Sequence, residues 1–599
     1  MSREIASSET SWARKGPADF GNSVGRTCTG LQNRHPPAAE LYSAGLAQLV
    51  EQLVYTEWVG GSSPSLRTIR PSLVERPQRR FTGINATGSL NRILRSAKII
   101  IKSGRLNNRW DQQAMPVRSP NLNHYPETMS LRQMPLLLLA AIAVASSAAA
   151  ATKPNFIIIF TDDQGYGDLS CFGSTTIKTP NIDRIAKEGR KFTSFMVASP
   201  VCTPSRAALL TGCYPKRVGM HQHVLFPSSK KGLNPEEHTI ADHLKAQDYA
   251  TACFGKWHLG HQREVLPTSN GFDTYYGIPY SNDMNHPDNK GKPRGGWQGM
   301  DLLWADPKST LTKWKTPLFE DEKIVELPVD QRTITRRCTQ KAIDFVQANK
   351  EHPFFVYLPH SMPHIPLYVP DDVRDPDPKN AYINTIEHID TEVGRLLDTL
   401  DKLKLTEETY VIYTTDNGPW LPFRHHGGSA GPLRDGKGST FEGGQRVPCV
   451  MRGPGIPAGT VCSELTGTID ILPTIAAITG TSLPAGKKID GLDVSALWMN
   501  KVKKSPRNEF LHYTSRGELQ GIRQGKWKLL VKGPGGRRGQ GKNSSQKGGQ
   551  VFLFDLEEDM GEQNNLAAQN SEIVEALKKR MAALDREIAS GARAPWTED

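Results

Sequence analysis

Residues 201 to 212 read VCTPSRAALLTG, which sets Cys202, Pro204 and Arg206 at alternate positions. Proline favours a first helical turn and Gly212 a helix stop, so SRAALLTG is expected as a short helix with Cys202 at its start. The free N–H groups and dipole at such a start attract anions and activate a thiol. An exported protein carrying an activated thiol is open to oxidation, so Cys202 is either a hazard or the precursor of another group. Arg206, one turn in, adds a planar fork suited to a tetrahedral oxyanion.

Two oxygen-rich pairs offer a second kind of chemistry. Asp162 and Asp163 follow one apolar run, and Asp416 and Asn417 follow another. Four oxygen donors without imidazole or thiolate suit a hard cation, calcium or magnesium, better than zinc. Either pair alone reads as turn capping; two pairs, each after a strand, favour metal. In GKWHLG, Lys256 and His258 are two apart and would face the same way on an extended segment.

These residues need a scaffold that brings distant segments to one place. From Lys153 onward strand, turn and helix alternate, the signature of an α/β fold with a mostly parallel sheet. NFIIIF (155–160), ATACF (250–254), PFFVYL (353–358) and TYVIYTT (409–415) read as buried strands. PNIDRIAKEGRKF (180–192) and INTIEHIDTEVGRLLDTLDKL (383–403) carry apolar residues at helical spacing. Ligands of open α/β sheets bind beyond the carboxyl ends of the strands. There TDD, GKWHLG, LPHSMPH and DNG follow the four strands in turn. Past residue 505 the texture becomes a small antiparallel sheet closed by the helix 571–588, interrupted by the Gly and Lys stretch 533–549, which reads as a solvated loop. No internal repeat is evident.

With 599 residues, 37% apolar, the chain is ordinary globular material with room for several domains. Its net charge of +12 suggests a polyanion partner only at first sight. Residues 1–128 hold 17 Lys and Arg against 9 Asp and Glu, hence +8 of that total. Nucleic acid is therefore not implied for the rest. Residues 1–128 lack any sustained periodicity, and 47–67 resemble a translated transfer-RNA gene; this segment is expected to be a spurious extension without fold. MSLRQMPLLLLAAIAVASSAAAA (129–151) has the basic, apolar and small-residue parts of a signal peptide, with Met129 or Met134 as start, and is too short for a confident membrane span. Export to periplasm or medium follows, with no stable membrane anchor. It would permit disulfides among Cys171, Cys213, Cys253, Cys338, Cys449 and Cys462, in a pairing the spacing does not give.

CTPSRAALLTG, together with PNFIIIFTDDQGYGDLSCFG, GKWHLG, GFDTYYGIPYSND and GKGSTFEGGQRVP, resembles the type I sulfatases, closest to their arylsulfatase A-like branch, over roughly residues 154–590. The resemblance implies an alkaline-phosphatase-like α/β fold: a large mixed, mostly parallel sheet in a catalytic domain (152–505) and a smaller C-terminal domain (506–599). It implies hydrolysis of sulfate monoesters by a formylglycine made from Cys202 by a maturation enzyme. Asp162, Asp163, Asp416 and Asn417, with the modified Cys202, would hold one divalent ion, calcium before magnesium. Arg206 would stabilise the hydrated aldehyde, Lys256 and Lys437 the sulfate oxygens, and His364 the ester oxygen. Ser281 would orient the His258 side, with His258 and Asp416 as bases, and His364 or Lys437 would protonate the departing alcohol. His425 and His426 match a family loop without an assigned role.

The resemblance implies a sulfated small molecule or carbohydrate as substrate. One competing reading is a phosphoester or phosphonate hydrolase of the same superfamily; its two-zinc members use further Asp and His ligands and a Ser or Thr nucleophile, which this chain does not offer at Cys202. The other is an exported glycan-binding protein whose cysteine is never converted.

Overall fold

The computed structural model describes residues 153–285, 296–308, 314–531 and 550–598, all within the unit Glu127–Asp599. The extension 1–128, the leader 129–151 and the loop 533–549 lie outside the described residues.

The main sheet contains β1 (Asn155–Thr161), β2 (Arg190–Met196), β3 (Ala250–Lys256), β4 (Thr274–Ile278), β5 (Leu318–Glu320), β6 (Lys323–Glu326), β7 (Phe354–Leu358), β8 (Thr409–Thr415), β9 (Arg446–Arg452), β10 (Thr460–Cys462) and β11 (Thr466–Gly467). Its order is β10-β2-β9-β8-β1-β7-β3-β4-β5-β6, with β11 also paired to β2. The five central strands from β8 to β4 run parallel, while β9 is antiparallel to both β8 and β2. At the other edge β5 and β6 add an antiparallel hairpin. This is the large, mixed, mostly parallel sheet of an alkaline-phosphatase-like α/β fold.

The continuous apolar runs of the central strands reflect burial on both faces. In β1, Phe156, Ile158 and Phe160 enter one core, and Ile157 and Ile159 the opposite one, as the two-residue side-chain period requires. Each such side chain contributes roughly 1.5–3 kcal/mol by its burial. The second core is covered by the helices Pro180–Glu188, Ile334–Ala348 and Ala381–Lys402.

Sequence periodicity carries the helix at Pro180 as far as Phe192, but the helix stops at Glu188 and β2 begins at Arg190. Gly189 breaks it, held so close to β9 that an added Cβ would lie 2.1 Å from the Met451 carbonyl oxygen.

Strand register places the polar clusters. β1 pairs in phase with β8, Thr161 opposite Thr415, so Asp162 and Asp416 leave the sheet side by side. Ile159 lies opposite Leu358 of β7, which brings the segment after β7 to the same edge.

The C-terminal part is a four-stranded antiparallel meander, β12 (Glu509–Tyr513), β13 (Leu519–Gln524), β14 (Trp527–Leu530) and β15 (Phe552–Asp555). The helix Ser571–Ser590 packs on it through Val574, Leu577 and Met581. Met196 and Ala208 share this apolar cluster with Phe510 and Leu529, so the small sheet backs β2 and the helix that carries Cys202. All seven cysteines among the described residues are unpaired, and all but Cys171 are buried. Among the described residues no helix is long and apolar enough to cross a membrane.

Candidate active site

The helix Cys202–Thr211 begins at Cys202 itself, after an extended Val201 without a side-chain cap. It ends at Gly212, whose left-handed φ of 65° lets its N–H bond the Ala208 carbonyl at 3.0 Å. All ten of its residues are buried, so the helix is threaded through the protein and not laid on its surface.

The thiol stands among charges. Cys202 Sγ donates to Asp162 Oδ1 at 3.3 Å and lies 3.8 Å from Lys437 Nζ. Burial, reinforced by the charges of Asp162 and Asp416, pushes the thiol well above its ordinary pKa. As a cysteine it is therefore a poor nucleophile, despite its place at a helix start.

Cations converge on three aspartates, Asp162, Asp163 and Asp416. Lys256 pairs with Asp162 Oδ2 and lies 3.2 Å from Ser281 Oγ. Arg206 Nη2 is 3.4 Å from the same Asp162 oxygen, and its Nε and Nη2 donate to Asp416 Oδ2 at 3.1 and 2.8 Å. Lys437 Nζ sits 2.7 Å from the Asp163 carboxylate, and His364 Nε2 3.6 Å from it. Burial opposes ionisation of Asp162, but Lys256, His364, Arg206 and Lys437 outweigh it and hold this carboxyl well below its usual range. Asp416 goes the other way, raised to about 7 by burial and by the charge of Asp162.

These oxygens fit a hard cation. Asp162, Asp163, Cys202 and His364 each offer a ligand atom, all within 4.8 Å of one another. Asn417 Nδ2 donates to Asp163 Oδ1 at 2.7 Å, while its Oδ1 is buried without a hydrogen-bond partner. An acceptor-only oxygen beside two carboxylates is suited to a divalent ion. Asp416 lies beside them, its Oδ1 accepting the Asp163 N–H at 3.2 Å and its Oδ2 held by Arg206.

Two sequence expectations change. Lys256 ends β3, but His258 has a left-handed φ of 59°, so the pair is not on one extended segment. The His258 ring turns to donate from Nε2 to the Leu225 carbonyl at 2.9 Å, and the tautomer this bond assigns carries its lone pair on Nδ1, buried and without a hydrogen-bond partner. Burial, with the charges of Lys256 and Arg206, holds that imidazole well below its ordinary pKa. Ser281 meets Lys256 and the His364 ring, at 3.2 and 3.4 Å, in place of His258. The left-handed backbone at His258 left no local signal, since histidine, although enriched there among non-glycine residues, adopts this region only rarely.

Sequence reasoning also missed Trp420, three residues past Asn417. Lys437 Nζ lies 4.3 Å from its ring centroid and the His364 ring 5.3 Å away, so the indole forms a wall of the site. The one available signal was its place in DNGPW, directly after a ligand pair. His425 and His426 are drawn to Asp301, a residue the sequence did not single out.

The family model described as Sulfatase matches residues 154–481. Arylsulfatase A of Homo sapiens is 36% identical over 478 residues, covering 75% of this chain and 92% of that protein. Arylsulfatase G of Rattus norvegicus is 34% identical over 477 residues, covering 75% and 90%. Among solved structures, that of Ps i-CgsB in complex with k-i-k-neocarrahexaose matches with a TM-score of 0.61 at 30% identity, covering 75% of this chain and 95% of that one.

Proposed function

The chain belongs to the sulfatase family and is a sulfuric ester hydrolase, and we propose that it desulfates carbohydrates by means of a formylglycine made from Cys202. One observation carries the proposal: a buried Cys202, its thiolate form disfavoured, sits at a helix start within reach of both Asp162 and Lys437. A thiolate mechanism gains nothing from that setting. A hydrated aldehyde supplies two hydroxyls on one carbon, one to attack sulfur and one through which sulfate leaves, which no single hydroxyl or thiol can do.

A divalent ion held by Asp162, Asp163, Asp416 and Asn417 would supply Lewis acidity and charge neutralisation; the all-oxygen donor set favours calcium. The ammonium groups of Lys256 and Lys437 hold the sulfate oxygens and neutralise the charge that grows on them. His258 takes a proton at Nδ1, its free lone pair. The His364 ring, 2.6 Å from the Ile365 carbonyl through Nδ1, faces the site with Nε2 and handles the proton of the ester oxygen. Arg206 keeps Asp416 in place. The neocarrahexaose bound in the Ps i-CgsB structure supports a carbohydrate substrate. Export through the leader 129–151, and conversion of Cys202 by a maturation enzyme, belong to the same proposal.

Peptide mass spectrometry of protein made in a host with the maturation machinery is expected to find the Cys202 peptide lighter than its thiol form by the mass that separates aldehyde from thiol. An unmodified thiol alongside full activity would overturn the formylglycine reading. Paired assays are expected to show nitrophenyl sulfate cleaved faster than nitrophenyl phosphate; the reverse order would favour the phosphoester alternative. Exhaustive chelation is expected to abolish turnover, and calcium to restore it better than zinc does. Activity that survives removal of the ion would refute the role given to Asp162 and Asp163.

A further inference from the structure

The loop that follows β8 holds a second group of metal-ligating side chains with a different chemistry. His425 Nε2 and His426 Nε2 lie 2.6 and 2.9 Å from the same oxygen, Oδ1 of Asp301. The three ligand atoms fall within 4.8 Å of one another. Asp301 belongs to the helix Gly296–Ala305, far from the histidines in sequence. Adjacent side chains of an extended strand point to opposite faces, but these two imidazoles lie in the tight 3-10 segment Leu421–His426, kinked at Arg424, which has φ 54° and ψ −119°.

We propose that Asp301, His425 and His426 form a zinc-class metal site, separate from the oxygen-ligand site at Asp162. Two neutral imidazoles and one carboxylate are a ligand set for zinc and its first-row neighbours, while calcium and magnesium take oxygen donors. Three protein ligands leave a coordination position open. His425 and Asp301 are each 26% exposed, so a water or a polar group of a substrate reaches that position, whereas His426 is buried at 1% and anchors the site. Trp297 forms one side, its ring centroid 5.5 Å from that of His425. Bound metal would clasp the helix Gly296–Ala305 to the loop segment that begins at Trp420, the wall of the active site. The proposal does not rest on the sulfatase reading.

The test uses the full chain, stripped of metal and then kept in excess calcium so that the oxygen site is filled. Titration with zinc by calorimetry, and with cobalt as a coloured stand-in, is expected to show one further equivalent bound and a rise in melting temperature. Asp301→Asn and His425→Gln should each weaken zinc binding by at least the roughly 10- to 100-fold that loss of an outer-shell partner alone costs. Asp163→Asn should leave it unchanged. Both test positions are partly exposed, and circular dichroism melts confirm that the variants fold. No zinc bound in excess calcium, or zinc bound equally by His425→Gln, would overturn the proposal, because the three residues would then be a hydrogen-bonded clamp only.

Discussion

Cys202→Ala is expected to lower turnover of nitrophenyl sulfate by about 10⁴-fold or more, as loss of a covalent nucleophile does elsewhere, while leaving melting behaviour nearly unchanged. The side chain is buried but small, and its hydrogen bonds are to Asp162, whose carboxylate keeps Lys256 and Arg206 as partners, and from Lys437, which keeps Asp163. Alanine also favours a helix more than cysteine does. The variant therefore separates chemistry from folding. Cys202→Ser sharpens the test, since a lone hydroxyl can take up a sulfuryl group yet has no second hydroxyl on the same carbon through which to release it. A stoichiometric burst, with sulfate retained on the peptide, is the expected outcome. Steady turnover near the parent rate in either variant would show that residue 202 is not where the ester is attacked.

The elements that create this site were legible wherever the information is local. NFIIIF and TYVIYTT could only be buried strands, and polar pairs directly after them had to lie at the carboxyl edge. Proline two residues after Cys202 and glycine at 212 marked the helix ends, and the structure moves its start by only a few residues. What the sequence could not give is long-range. The antiparallel pairing of β9 with β8 carries the chain back into the sheet after the Lys437 loop, and no periodicity within that strand reveals its partner. The left-handed turn at His258 is imposed by packing, as is the approach of Asp301 to two histidines more than a hundred residues away. Ser281 was assigned by resemblance to the His258 side, but a side chain's partner depends on register, and here the register offers it Lys256 and His364.

The small C-terminal sheet reaches the site through one buried lysine, and Lys528→Met is expected to cost about 3–5 kcal/mol of stability at neutral pH, the usual penalty for breaking a buried ion pair from one side. Lys528 Nζ is fully buried on β14, 2.9 Å from Glu442 Oε1 and 2.9 Å from Glu562 Oε1. Glu442 lies five residues past Lys437, and its N–H donates to Glu562 Oε2 at 2.6 Å. Arg434, from the same loop, donates to the Glu562 carbonyl at 2.6 Å. The lysine thus ties two carboxylates together beneath the loop that presents Lys437. Burial opposes the charge on Glu442, yet Lys528, Arg523 and Arg446 hold it well below the usual range. Burial raises Glu562 to about 7, with the charge of Glu442 adding to the rise. Because this folded-state value exceeds that of an unfolded glutamate near 4.5, the unfolded chain loses the proton first as pH rises. The contribution of Glu562 to stability is accordingly greatest below that unfolded value and declines between there and about pH 7. Without Lys528 the folded-state value moves higher still, so the defect should be smaller near pH 5, where Glu562 keeps its proton and only the pairing with Glu442 is lost, and largest above neutrality. Urea melts of both proteins at acid and alkaline pH measure this directly. A loss of equal size at both would mean that Glu562 takes no part and that Lys528 acts through Glu442 or the packing of its stem, and no loss at all would mean that the carboxylates find other cations, Arg446 and Arg523 being the nearest candidates.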